Sequence, residues 1–112
     1  MNNEVHNIEL SIEQARSFVK AADALNRLFA NPDFVDIIKV GYFKDEPARL
    51  VEMKASPQMA HETHQANIIK SIDGIGALQQ YFNTIWAFGT TARETIESGE
   101  AMLAELATEE TN

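Results

Sequence analysis

The stretch MAHETHQAN, residues 59–67, brings His61, Glu62 and His64 together, and two histidines beside a glutamate are the donor set of a zinc hydrolase. The zinc-protease signature HExxH spaces its histidines so that both imidazoles reach the metal from one helical face while the glutamate activates the bound water. Here the spacing is HExH, one residue short. A three-residue step still shares a face, but only His6 remains as a third histidine, and Glu62 projects elsewhere. A di-iron bundle needs two Glu-x-x-His elements. The residue at that offset before His61 is Gln58, and the one before His64 is His61 itself. The two histidines read as solvent-facing residues in the first turn of a helix.

Other chemistry-bearing patterns fail in the same way. DGIGALQ offers Gly74 and Gly76, but Gln79 stands where a dinucleotide fingerprint needs its third glycine and no strand precedes it, so these are packing glycines. Ser17 and Lys20 match the SxxK of serine acylating enzymes, yet they sit on an amphipathic helix without the companion motifs. Glu94 and Glu97 could imitate an acid/base dyad, but an exposed acidic helix lacks the burial that separates two carboxyl pKa values. The chain has no cysteine, which removes a disulfide framework, a thiolate zinc site and a cysteine nucleophile together. No enzymatic activity, metal, cofactor or small-molecule substrate is expected.

Charge excludes a further class. The net charge is −8, and residues 57–112 hold eight acids against Lys70 and Arg93 alone. A module that binds DNA or RNA draws most of its affinity from neutralised phosphates and carries the opposite sign, so direct nucleic-acid binding is not expected. An acidic helix can instead meet a basic protein surface, although a charge run is usually a solvated face. MNNEVHNIEL lacks the basic start and apolar run of a signal peptide, and no segment approaches the ~20 apolar residues that span a bilayer. The expectation is a soluble, unexported chain with no membrane partner.

The elements that would position these residues are helical. A chain of 112 residues with 45% hydrophobic content makes one domain, residues 1–112, or a smaller unit that completes its core with other chains. Val5, Ile8 and Leu10 with polar residues between suggest an extended arm over 1–10, an assembly contact if it pairs as a strand and a frayed terminus otherwise. Ser11 with Gln14 matches a capping box and opens a helix over 11–30, whose Ile12, Ala15, Phe18, Val19, Ala22, Leu25, Leu28 and Phe29 make one apolar stripe. Asn31-Pro32 starts short helices over 32–55, with a stop at Gly41 and a restart at Asp45. Ser56-Pro57 breaks the chain again.

From 60 to 109 nothing forces a helix to stop. Ile68, Ile72, Ile75, Leu78, Phe82, Ile85, Gly89, Ala92, Ile96, Gly99, Leu103 and Leu106 step by three or four, close to a heptad seam. Thr91 with Glu94 is a capping-box match just past Gly89, so a kink or break there is the alternative to one long helix. A helix of up to ~70 Å exceeds what the first can cover. The leftover seam would be buried by a second copy or another protein. The fold class is therefore all-α, a helical hairpin or bundle with one long C-terminal helix, short connecting helices and an extended N-terminal arm. Candidate interface residues are Val5, Ile8, Leu10, Tyr42, Phe43, Phe82, Trp86, Gly89, Ile96 and Leu103.

Over most of residues 8–105 the chain resembles a group of small uncharacterised helical proteins of tailed bacteriophages encoded with virion structure and assembly genes, a likeness carried by the helix-1 pattern, NPDF…GYFKDEPARLV and DGIGALQQYF. That group brings no defined catalytic or ligand-binding residues, so nothing transfers residue by residue. The resemblance implies a non-enzymatic virion structural or assembly protein near the capsid or portal, located in the virion or the host cytoplasm. Its partners would be its own copies or other phage structural proteins. The alternative is an early regulatory protein that binds and inhibits a host enzyme through its acidic helix.

Overall fold

The computed structural model describes residues 2–111, which are helical with short connections and, among the described residues, no strand. Helix α1 runs Asn2–Phe29, the short α2 Pro32–Phe34, a π-helical segment Val35–Asp45, α3 Glu46–Ala55, a 3-10 turn Pro57–Met59 and α4 Glu62–Thr111. The all-α class with one long C-terminal helix is as expected. The chain groups into two compact units, one made of the residues up to Leu25 with those from Thr84 onward, the other of Asn26–Asn83.

In the first unit α1 and α4 pack antiparallel. The order of contacts shows it: Gly89 faces Ala22 and Phe18, whereas Gly99, further along α4, faces Ile12 and Ile8, further back along α1. Ile12, Ala15, Ala22, Leu25 and Ala92 are buried here. Small side chains at the crossing let the two backbones approach closely. Arg93 pairs with Asp23 across the two helices, an exposed bridge of the kind that contributes up to ~1 kcal/mol.

The second unit has its own core. Leu50, Ile68 and Ile75 are buried, with Tyr42, Phe43, Met53, Met59 and Ile72 packed around them. Beside it Phe82 holds edge-to-face contacts with Phe29 at 5.3 Å, Phe43 at 6.0 Å and Phe34 at 6.1 Å between centroids. Asn31 caps the helical path that follows, its Oδ1 accepting from the backbone N–H of Asp33 at 2.9 Å and of Phe34 at 3.2 Å. Pro32 occupies the first turn, where its missing N–H costs nothing. Gln65 Nε2 donates to the carbonyls of Lys54 at 3.0 Å and Met59 at 2.8 Å, fixing the turn between α3 and α4.

Three expected boundaries are corrected. Residues 2–10 are helical rather than an extended arm, because Val5, Ile8, Ile12 and Ala15 continue the three-and-four spacing of α1; Met1, also counted in that arm, lies outside the described residues. Ser11 is accordingly inside a helix and caps nothing. Gly41 ends no helix either, since the path widens to i+5 hydrogen bonds and runs into α3, with the N–H of Glu46 donating to the Gly41 carbonyl. At Gly89, by contrast, α4 continues without a break, as the expectation of one long helix had it.

Candidate functional site

His61 does work in this chain, but as a helix cap. Its Nδ1 accepts the backbone N–H of Thr63 at 3.1 Å, and its carbonyl accepts from Gln65 at 3.0 Å, so it closes the first turn of α4. The His64 ring stands 6.2 Å away at a 73° tilt. Among the described residues no group of three or more His, Cys, Asp or Glu could hold a metal ion. Replacing His61 with Ala should cost about 1 kcal/mol, the usual worth of a side-chain cap, while His61→Ser should restore most of it. Urea denaturation of the two variants measures both, and a neutral His61→Ala would show that the cap contributes nothing.

The remaining chemistry-bearing residues are engaged by their own helices. Ser17 donates to the Gln14 carbonyl at 2.8 Å. Gly74 and Gly76 lie in the interior of α4, where amides serve the helix and cannot cradle a phosphate. Glu94 and Glu97 are exposed. Arg49 is held above its ordinary pKa, first by the hydrogen bond from its guanidinium to Glu46 and then by that carboxylate's charge. It stays cationic on an exposed surface.

The residues expected at an interface divide by burial. Phe82 is 8% exposed and belongs to the ring cluster of the second unit, and Tyr42 and Phe43 pack on the core there. Gly89 is buried against Ala22, Ile8 lies by Gly99, and Val5, Trp86, Ile96 and Leu103 are half-buried. Leu10, at 48%, is the one of these residues that is exposed. The seam of α4 is in fact covered within the chain: every seam residue from Ile68 to Leu106 is buried or half-buried. The short helices and a 28-residue α1, longer than the helix read from sequence, supply that cover. Burial therefore requires no second copy.

What the first unit exposes is a different face. Leu10, Phe18, Phe88 and Met102 are its exposed large apolar side chains, each 46–54% accessible. Two adjoining hollows lie between α1 and α4, one of about 370 Å³ reaching Phe18 and Phe88, the other of about 360 Å³ reaching Ile8 and Met102. Both are lined by Ser11, Thr91 and Thr95, so they form one trough. The rings of Phe18 and Phe88 meet edge to face at 5.5 Å and close one end.

No family model, curated protein or solved structure matches the chain.

The trough is lined by hydroxyl, amide and apolar groups with one charge, Glu94. No polar or charged residue is buried among the described residues. The trough is hidden in the sequence because Phe18 also fits the spacing of the core stripe of α1. A signal was present: Phe88, Thr91, Thr95, Ser98 and Met102 repeat at three and four, a second seam hidden by its polar members.

Proposed function

We propose that this chain acts without catalysis, through protein–protein contact, as a virion or virion-assembly component of a tailed bacteriophage. The exposed apolar face of the first unit carries the contact reading, since a row of large apolar side chains beside a trough marks an interaction surface. The phage context rests on the resemblance in NPDF…GYFKDEPARLV and DGIGALQQYF. Among the described residues no helix is long and apolar enough to cross a membrane. Mass spectrometry of purified particles and of complexes from late lysates should find the chain in virions or bound to capsid or portal proteins. Its absence from both would overturn this reading.

A second reading, an early regulator that inhibits a host enzyme, is favoured by charge. The first unit carries ten acids against Arg16, Lys20 and Arg93, a balance of −7. Expression timing separates the two, early for a regulator and late for an assembly protein.

A further inference from the structure

We propose that the trough between α1 and α4 is a docking groove for one amphipathic helix of a partner protein, a helix with large apolar side chains on its inner face and lysines or arginines on its flanks. The inference rests on the reading of the chain as a protein-contact module and names the site and the chemistry of its partner.

Shape sets the first requirement. The walls repeat at heptad spacing, Phe88 through Met102 on α4 and Ser11, Gln14 and Phe18 on α1, which is the surface a third helix packs against with knobs in holes. From Phe88 to Met102 the groove is ~21 Å long at 1.5 Å per residue, about four turns of an occupant. Its middle is low because Ser11, Thr91 and Thr95 are small, so it accepts a convex ridge. A second copy laid face to face would set hollow against hollow and fill neither.

Charge sets the second. Glu94 is the one charged residue lining the groove, within a unit whose balance is −7. At 3.6 residues per turn Arg16 and Lys20, with Glu9 and Glu13, fall on the side of α1 away from Ser11, Gln14 and Phe18, and Arg93, with Glu97 and Glu100, falls on the side of α4 away from Thr91, Thr95 and Met102, so Glu94 is the charge an occupant meets in the groove. Arg93 is also paired with Asp23. A second copy would therefore bring acid to acid with no cation at the contact. An anionic lipid surface is disfavoured by the same field. A cationic helix meets it with opposite charge, which raises both association rate and selectivity.

The test uses the full chain and three synthetic peptides of about 21 residues, three heptads each. One carries leucines at the a and d positions with lysine flanks, one replaces each lysine with glutamate, and one keeps the lysines but is interrupted by proline. Calorimetry should show the lysine helix binding at least about tenfold more tightly than either of the others, with affinity falling as salt rises. Methyl shifts on binding should centre on Thr91, Thr95 and Met102. Ser98→Trp, which plugs the groove from an exposed position, should abolish binding without lowering the melting temperature. Glu94→Lys should weaken it about fivefold or more, whereas Glu97→Lys, the same charge change away from the groove, should alter it less than about twofold. Equal effects of Glu94→Lys and Glu97→Lys, no preference for the lysine helix, or a homodimer dissolved by Ser98→Trp would each overturn the groove. If Ser98→Trp still joined capsid or portal complexes, the contact reading would stand and this site would fall.

Discussion

Phe82→Ala is expected to lower the unfolding free energy by about 3–5 kcal/mol, the range for deleting a buried phenyl ring. The ring is 8% exposed and has Phe29, Phe34 and Phe43 around it, so three elements of the second unit converge on one side chain. Removing it deletes apolar burial and leaves a cavity lined by rings too stiff to close over it. The adjacent Tyr81 is the control. It is 61% exposed, and Tyr81→Ala should change stability by no more than about 0.5 kcal/mol. Guanidinium denaturation measures the pair, and a Phe82→Ala loss below about 1 kcal/mol would show that the ring is not a centre of packing.

The position of Phe82 also shows what was legible in the sequence. Its three-and-four spacing with Ile75, Leu78 and Ile85 put it on the seam of α4, and that seam is real. Asn31 as a cap, Pro32 in a first turn and Ser56-Pro57 as a break were readable because each acts through its own neighbours. What covers the seam was not readable, because the covering residues are distant in the chain. Val5, Ile8 and Leu10 fit a strand and a helix equally over so short a run, and Leu103 and Leu106, with which Val5 lines one hollow, lie at the other end of the sequence. The exposed face was obscured for the opposite reason. Thr91, Thr95 and Ser98 hold seam positions without being apolar, so the pattern that frames the trough has the spacing of a core and the composition of a surface.

Gly89 is the sharpest case of a residue whose role is set from afar, and its substitution should separate packing from helix propensity. An exposed helical Gly→Ala change gains up to ~1 kcal/mol. Gly76 is half-buried, but nothing lies within 4 Å of a Cβ added there, so the same gain applies and Gly76→Ala should stabilise the chain. A Cβ at Gly89 would instead overlap the Ala22 Cβ, a group fixed to its backbone and 1% exposed, with no rotamer by which to withdraw. The helices must separate, at a cost of about 1–3 kcal/mol for overpacking, so Gly89→Ala should be net destabilising. Gly99→Ala falls between the two, because its obstacle is 2.9 Å away at Ile12 Cδ1 and Cγ1, and the Cδ1 end of that side chain can turn aside. Ala22→Gly should rescue Gly89→Ala, giving a coupling of at least ~1 kcal/mol in a double-mutant cycle. If Gly89→Ala raised the melting temperature as Gly76→Ala does, the close approach of α1 and α4 that walls the trough would be wrong.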